Sequence, residues 1–182
     1  MRLDFRTLFG NDRPVVLEIG SGKGRFLLDH ARKNPGLGVV GIEKSLHYYR
    51  VIVRRIERSG LTNVKIVNYD AHPVLAAMIP DRSLSAIHIY FPDPWPRPRE
   101  RKRRIIRDEV TVELDRALTA AGIGIYVTDH REYFDEAVAV LEKYFELSYP
   151  DPGEDRASRT NYEEKYLREG RAIYEVRFSR RG

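Results

Sequence analysis

The chain has 182 residues, 42% hydrophobic and 32% charged, which is enough apolar sequence for one domain with a hydrophobic core. It has no cysteine, which excludes a disulfide framework and a metal site with thiolate ligands. The net charge is only +5, but the positive residues are clustered, as they are in proteins that bind nucleic acid. No signal peptide and no long apolar run is recognised, so we expect a cytoplasmic protein that does not enter a membrane.

Strands and helices are expected to alternate along the chain. Short apolar runs predict strands at residues 15–19, 39–42, 64–67, 84–91, 122–127 and 172–178. Helical periodicity predicts helices at about residues 26–34, 46–58, 74–78, 105–118 and 132–143. A long loop is expected at 149–159. This order predicts a single α/β domain over residues 1–182, with a doubly wound, mostly parallel sheet whose last strand pairs antiparallel at the edge.

A glycine loop follows the first strand. Gly20, Gly22 and Gly24 lack the last glycine of a nicotinamide-dinucleotide fingerprint, because Arg25 stands in its place. The looser spacing after an acid suits S-adenosylmethionine, since the glycines let the backbone approach the amino-acid tail and Glu18 matches the positive charges of this cofactor. An ordinary tight turn between strand and helix is the alternative.

An acidic residue stands at the end of each of the first five strands. Doubly wound sheets bind ligands beyond the carboxyl ends of their strands, so these acids predict a shared crevice. Glu43 is placed to accept hydrogen bonds from ribose hydroxyls, and Asp70 to accept one from the exocyclic amine of adenine. The alternatives are an acid that caps the next helix and an Asx turn before Pro73. The five acids are Glu18, Glu43, Asp70, Asp93 and Asp129.

The fourth strand ends in the sequence FPDPW. Pro92 and Pro94 fix the backbone on either side of Asp93, and Trp95 offers a flat face beside that carboxylate. Seven of the eleven residues at 97–107 are Arg or Lys. A carboxylate, an aromatic face and a basic run together predict a site for a nucleobase that is carried by RNA or DNA.

The basic run includes four consecutive cations at residues 101–104, which surround the start of the predicted helix at 105–118. The helix macrodipole disfavours cations there, and this indicates a phosphate partner. A second group of arginines, at residues 50, 54, 55 and 58, could be the solvated side of a helix. The five histidines have no metal-ligand spacing, so no metal is expected.

These motifs together resemble those of the bacterial tRNA (guanine-N7)-methyltransferases. The resemblance covers nearly the whole chain, from the glycine loop through FPDPW and the basic run to residues 160–163. FPDPW followed by basic residues is its specific part, whereas the glycine loop is not specific. The chain departs from the family pattern at Arg97, Glu100 and Asn161, where the family usually has Lys, His and Lys.

The resemblance implies a Rossmann-like class I methyltransferase fold, with a seven-stranded, mostly parallel sheet, an antiparallel edge strand and helices on both faces. It implies methyl transfer from S-adenosylmethionine to guanine N7 in tRNA, at position 46 of the variable loop, by a monomer or a homodimer. The implied cofactor contacts are Glu18, Gly20, Gly22, Glu43, Asp70, Ala71 and Asp93. The implied substrate contacts are Arg97, Asp129, Thr160, Asn161, Tyr162 and Glu163. We expect further contacts to the tRNA backbone from Arg99, Lys102, Arg103 and Arg104.

Guanine N7 carries an in-plane lone pair, so its methylation needs alignment and exclusion of water but no strong base. We expect Asp93 to be the catalytic residue, because a fixed carboxylate stabilises the positive charge that develops on the purine. Glu163 and Asp129 are expected to bind the polar edge of the base. Two alternatives stay open: a methyltransferase that acts on an amino group of a base, and a non-catalytic RNA-binding module with a vestigial nucleotide pocket.

Overall fold

The computed structural model of the protein describes residues 2–151 and 158–181. Within this range, one sheet contains the strands β1 (Val15–Ile19), β2 (Gly38–Ile42), β3 (Val64–Val67), β4 (Leu84–Tyr90), β5 (Leu118–Thr128), β6 (Phe145–Ser148) and β7 (Tyr174–Arg180). The α-helices are α1 (Phe5–Phe9), α2 (Arg25–Lys33), α3 (Leu46–Ser59), α4 (Ala71–Met78), α5 (Asp108–Ala117), α6 (Arg131–Leu141) and α7 (Asn161–Arg168). A 3₁₀ helix spans Pro98–Arg103.

The strand order is β3-β2-β1-β4-β5-β7-β6, so β1 lies between β2 and β4. The chain builds outward from β1 to β3 and then crosses to β4 on the other side of β1. Strands β1 to β5 are parallel to one another. The reversal at β1 leaves a crevice at the carboxyl ends of the central strands, where doubly wound sheets bind their ligands. The predicted α/β fold with a mostly parallel sheet is confirmed.

The last strand is antiparallel, as predicted, but its position in the sheet differs. β7 lies between β5 and β6 and is antiparallel to both, so the edge strand is β6. β6 has four residues, of which only Phe145 is buried, and so short a run has little pattern to distinguish it in the sequence. Its place is set by packing, since the rings of Phe145 and Phe178 lie 4.8 Å apart.

Helices cover both faces of the sheet. Helices α4, α5 and α6 lie on one face, where Val74, Leu114 and Leu141 belong to one buried cluster. Helices α2 and α3 lie on the other face, where Leu27 and Ile52 belong to a second cluster. This arrangement confirms the expected layers. None of the helices in the described ranges combines the length and the apolar character that a membrane span requires.

Several element boundaries differ from the predictions. Helix α5 begins at residue 108 instead of 105, and β5 begins at residue 118 instead of 122. Helices α1 and α7 are absent from the predictions; they are short, with five and eight residues. Residues 152–157 of the predicted loop at 149–159 lie outside the described residues.

Candidate active site

The carboxyl ends of the parallel strands meet at one rim of the sheet. Ile19 of β1 is in register with Ile42 of β2 and with Ile89 of β4. Beyond the ladder, the Gly20 N–H donates to the Ile42 carbonyl at 2.8 Å, which keeps the loop after β1 close to the end of β2. The acids that lie at or just beyond the strand ends of this rim are Glu18, Glu43, Asp70, Asp93 and Asp129.

The glycine loop is held against the start of α3. Gly20, Gly22 and Gly24 have φ values of +79°, +52° and +72°, which residues with side chains rarely adopt. Glu43 Oε2 accepts the Gly22 N–H at 2.7 Å, and Glu43 Oε1 accepts the Ser45 N–H at 2.7 Å. Each of these carboxylate oxygens keeps a second lone pair that can accept a hydroxyl group. Glu43 therefore fixes the loop and can still bind a ligand.

Glu18 is a buried acid of the rim, and one of its carboxylate oxygens lacks a hydrogen bond from the described residues. The residue is 3% exposed, and its Oε2 atom has no hydrogen-bond partner among the described residues. Burial raises the pKa of the Glu18 carboxyl to about 7, and the Glu43 carboxylate adds to this shift. The nearby Ser21 hydroxyl opposes this rise in pKa, although it forms no hydrogen bond with a described residue. A buried carboxylate with a free oxygen is unfavourable until a cation or a donor pairs with it, so this position fits the positively charged end of a ligand.

Asp70 both caps α4 and forms an ion pair. Its Oδ1 accepts the His72 N–H at 3.3 Å, and its Oδ2 accepts from Lys44 Nζ at 2.6 Å. The hydrogen bond from Lys44 lowers the pKa of the Asp70 carboxyl. Ala71, the first residue of α4, is buried beside it. An open pocket of about 610 Å³ at this end of the rim is lined by Lys44, Asn68, Tyr69, Asp70, His72, Pro73 and Arg107.

Asp93 lies in a strained turn beyond β4. Phe91 and Trp95 flank it with φ values of +48° and +42°, left-handed conformations that cost residues with side chains about 1–2 kcal/mol each. Strain of this kind is concentrated at functional sites. Asp93 is exposed and makes no hydrogen bond or ion pair with the described residues. Its carboxylate is therefore free to contact a ligand.

Helix α7 brings an aromatic residue close to this turn. The ring of Tyr162 lies 6.5 Å from the ring of Phe91. Burial raises the pKa of the Tyr162 phenol, and nearby Tyr48, Asp93 and Glu43 add to the shift. Tyr162 is also 50% exposed, so part of its ring faces the solvent. The phenol thus lies within electrostatic reach of both the Asp93 turn and the Glu43 side of the rim.

The 3₁₀ helix divides the basic run into two groups. Because this helix repeats every three residues, Arg101 and Arg104 lie on the same side, and both pair with Glu136 of α6. Arg104 Nε also donates to the Pro94 carbonyl at 2.7 Å. Arg104 is only 2% exposed, so this structure does not present it for the predicted contact with the tRNA backbone. Instead it anchors the turn that carries Asp93.

Four other cations of the run face the solvent. The Arg103 guanidinium lies 4.8 Å from the centre of the Trp95 ring, within the range of a cation–π contact. Helix α5 begins only at Asp108, with Asp108 and Glu109 in its first turn. The prediction that cations at residues 101–104 surround the start of this helix is therefore wrong. They precede it, so the helix macrodipole does not act against them there. The exposed cations are Arg97, Arg99, Lys102 and Arg103.

Thr160 and Glu163 hold the start of α7. Thr160 Oγ1 accepts the Glu163 N–H at 3.0 Å, as in a capping box. The Glu163 carboxylate is fully buried; it accepts the Arg159 N–H at 2.6 Å and pairs with the Arg159 guanidinium at 2.8 Å. The Glu163 oxygens are buried and paired in this structure, so direct binding of the base by Glu163 stays a prediction. The T-x-x-E spacing is a sequence signal for this cap, whereas Asn161 and Tyr162 between the two residues are exposed.

Asp129 lies beyond β5, on the side of the rim nearest to α7. It is half-buried and pairs with Arg171 at 3.2 Å. Burial raises the pKa of the Tyr166 phenol, and Asp129 adds to the shift. Across residues 2–151 and 158–181, no group of three or more His, Asp or Glu side chains is arranged to hold a metal ion.

The strand order, the glycine loop after β1 and the acids at the rim are those of the class I methyltransferases. The antibiotic-resistance methyltransferase Kmr has a similar structure, with a TM-score of 0.69 and 17% identity, covering 100% of this chain and 93% of that one. Precorrin-6y C5,15-methyltransferase from Geobacter metallireducens GS-15 gives a TM-score of 0.67 at 16% identity, covering 92% of this chain and 80% of that one. Likeness at these identities establishes the fold, and the expected class I fold is confirmed.

Sequence comparison narrows this class to one family. Residues 12–176 match the family described as "Putative methyltransferase". The chain is 33% identical to the tRNA (guanine-N(7)-)-methyltransferase of Aliivibrio salmonicida (strain LFI1238), covering 98% of this chain and 77% of that protein. It is 36% identical to the enzyme of the same name from Buchnera aphidicola subsp. Baizongia pistaciae (strain Bp), with coverage of 97% and 75%. The chain belongs to the tRNA (guanine-N7)-methyltransferase family, as the resemblance in its motifs predicts.

Proposed function

We propose that this protein transfers a methyl group from S-adenosylmethionine to N7 of a guanine in tRNA, at position 46 of the variable loop. The observation that carries the proposal is the pairing of two features on one rim. Glu18 is a buried carboxylate with an unpaired oxygen, and Asp93 is an exposed carboxylate in a strained turn. The first suits a cationic cofactor and the second suits a base that gains positive charge during the reaction.

The residues around the glycine loop fit the cofactor. S-adenosylmethionine supplies an electrophilic methyl group on a sulfonium, together with an α-amino group, a ribose and an adenine. Glu18 would accept the hydrogen bonds of the ammonium group, because its free oxygen is buried and its carboxyl lies near Ser21 of the glycine loop. Glu43 accepts the ribose hydroxyls through its remaining lone pairs. Asp70, with Ala71 beside it, lies next to the pocket that receives the adenine.

Asp93 and Tyr162 act on the base. The N7 lone pair is already exposed in the plane of the purine, so the chain must position the ring and keep water away from it. Asp93 orients the base and stabilises the positive charge that appears on it. Tyr162, half-exposed beside Asp93, offers a ring on which the purine can stack. Asp129 lies on the α7 side of the rim, where it can accept hydrogen bonds from the polar edge of guanine.

The exposed half of the basic run binds the tRNA backbone. Cations that contact phosphates displace counterions, so they contribute affinity that depends on salt. The run follows the Asp93 turn directly, which places its cations next to the base that the turn receives. The residues in this role are Arg97, Arg99, Lys102 and Arg103.

The test is to incubate the purified protein with methyl-labelled S-adenosylmethionine and tRNA transcripts, and then to identify the modified nucleoside by mass spectrometry after digestion. We expect one 7-methylguanosine per tRNA, and none in a matched transcript with adenine in place of guanine at position 46. Label on an exocyclic amino group would instead identify an amino-group methyltransferase. Binding of tRNA without any transfer would identify a non-catalytic RNA-binding module.

A further inference from the structure

Helix α3 carries a row of arginines without acidic partners. They recur every four residues and are exposed, so they lie along one side of the helix. None of them makes an ion pair with a described residue, and Glu57, the only acid in the helix, does not pair with them. Arg55 turns away from this row and donates to a backbone carbonyl of the glycine loop. We refer to Arg50, Arg54 and Arg58 as the α3 stripe.

The other helices have acids that pair with cations on their surfaces. Each of the remaining α-helices that carries Arg or Lys has at least one ion pair on its surface. In α5, Arg116 pairs with Glu113 at 2.6 Å, and in α6, Arg131 pairs with Asp135 at 2.9 Å. A solvated helix side usually interleaves acids with bases in this way. The α3 stripe lacks such acids, so its positive field is not neutralised locally.

The α3 stripe begins next to the active site. Helix α3 starts directly after Glu43, and Tyr48 in its first turn is close enough to Tyr162 to raise the pKa of that phenol. From Arg50 to Arg58 the stripe extends over about 12 Å, given the rise of an α-helix. It therefore leads away from the rim along the side of the molecule formed by α2 and α3.

The two basic surfaces lie on opposite faces of the sheet. The 3₁₀ helix is tied to α6, which covers the face that holds α4 and α5. The α3 stripe is on the other face, with the acidic rim between the two. A nucleotide held at the rim continues into backbone on both its 5′ and 3′ sides, so a loop of RNA can reach both surfaces.

We propose that the α3 stripe is a second contact surface for the phosphate backbone of the substrate tRNA. This inference rests on the proposed function and adds a surface that the basic run alone does not provide. The occupant is a polyanion because the stripe offers three exposed guanidinium groups that no described acid pairs with. Together with the 3₁₀ helix, the stripe holds the RNA from both faces while one base lies in the crevice.

The experiment uses the full chain with the triple substitution R50Q/R54Q/R58Q. Gln has a helix propensity close to that of Arg, so α3 should persist. The matched control is R6Q/R32Q/K33Q, which removes the same number of charges from exposed positions of α1 and α2. The affinity of each protein for an unmodified tRNA transcript is measured over a series of salt concentrations. Cofactor affinity is measured by calorimetry to show that the rim is intact.

We expect the stripe variant to bind tRNA more weakly and the slope of log K against log [salt] to become shallower by about 2–3, since each lost phosphate contact removes about 0.7–0.9. The control should keep the wild-type slope. Equal slopes in wild type and stripe variant, or equal losses in stripe variant and control, would overturn the inference. Either result can occur while the wild type still forms 7-methylguanosine, so it would leave the proposed function standing. A wild type that forms no methylated guanosine would instead remove the proposed function.

Discussion

Two buried glutamates of this protein differ in how far their carboxylate oxygens are satisfied. Glu163 in α7 is fully buried, and the backbone N–H and guanidinium of Arg159 donate to both of its carboxylate oxygens. Glu18 in β1 is 3% exposed, and one of its oxygens has no partner among the described residues. Both lie near the same rim, yet only the second has bonding capacity left for a ligand.

The difference shows how to separate a structural acid from a binding acid. A charge that is buried with its counter-ion holds two segments together, and the pair is lost if either partner is removed. A charge that is buried without one stores unfavourable free energy, which a cationic ligand can relieve. Arg104 and Arg103 repeat the contrast among the cations, since the first is buried against Glu136 and the second is exposed over Trp95.

The largest effect is expected from E163Q. Neutralising Glu163 leaves Arg159 with a weaker set of partners in a buried position, so the free energy of unfolding should fall by about 3 kcal/mol. Urea unfolding measures this. The neighbouring E164Q is the matched control, because Glu164 forms only partly exposed ion pairs with Arg25 and Arg168, and it should cost less than about 1 kcal/mol. Similar losses in the two variants would erase the distinction between the buried and the exposed acid.

The pH dependence of stability should report on Glu18. Its folded-state pKa of about 7 lies above the ordinary value of 4.5, so between these values the folded protein binds more protons than the unfolded one. The free energy of unfolding of the ligand-free protein should therefore fall as pH rises from about 4.5 to 7 and stay level above. The contribution of Glu18 amounts to about 3 kcal/mol, since each pKa unit corresponds to about 1.4 kcal/mol. Glu43 and Tyr90 also act on this carboxyl, so the difference between wild type and E18Q isolates its share.

We expect the free energy of unfolding of E18Q to lose this dependence on pH. Urea midpoints at pH 5 and pH 8 are compared for the two proteins. An identical slope in both would mean that Glu18 titrates in the folded state as it does in water, and the contrast with Glu163 would then be lost.

The substitution D93N tests the exposed acid of the rim. Asp93 forms no hydrogen bond or ion pair with the described residues, so stability should stay within about 0.5 kcal/mol of wild type. Turnover with tRNA should fall about 100-fold, because a preorganised charge that stabilises the transition state is removed. D135N, in an exposed ion pair on α6, is the control and should keep full turnover. Wild-type turnover in D93N would show that the strained turn serves another purpose.

The smallest effect concerns cofactor affinity. E18Q keeps the size of the side chain but removes its charge, so S-adenosylmethionine should bind at least about 10-fold more weakly, as expected for the loss of a hydrogen bond to a charged group. Isothermal titration calorimetry at pH 8, where Glu18 is mostly ionised, gives the comparison. E146Q on the edge strand β6 is the control, since Glu146 is exposed. Unchanged affinity in E18Q would place the ammonium group of the cofactor elsewhere.

Much of the fold could be predicted because its signals are local. Apolar runs such as residues 15–19 and 39–42 mark buried parallel strands, and strands alternating with helices require a doubly wound sheet. The position of acids at strand ends also follows from the sequence, because the carboxyl ends of parallel strands share one rim. The short elements β6 and α7 are absent from the predictions. Four residues contain too little pattern to mark β6 as a strand, whereas the T-x-x-E spacing at residues 160–163 does signal the start of α7.

The chemistry available at the rim was determined by the sequence alone: a glycine loop, an acid at the end of each of the first five strands, and an FPDPW turn followed by cations. Only the tertiary structure decided which charged residues can use that chemistry. Glu163 and Arg104 became internal supports because Arg159 and Glu136 reach them from other segments, whereas Glu18 and Asp93 kept free oxygens. The physical reason is that pairing and burial depend on residues distant in sequence, and a one-dimensional pattern does not contain those distances.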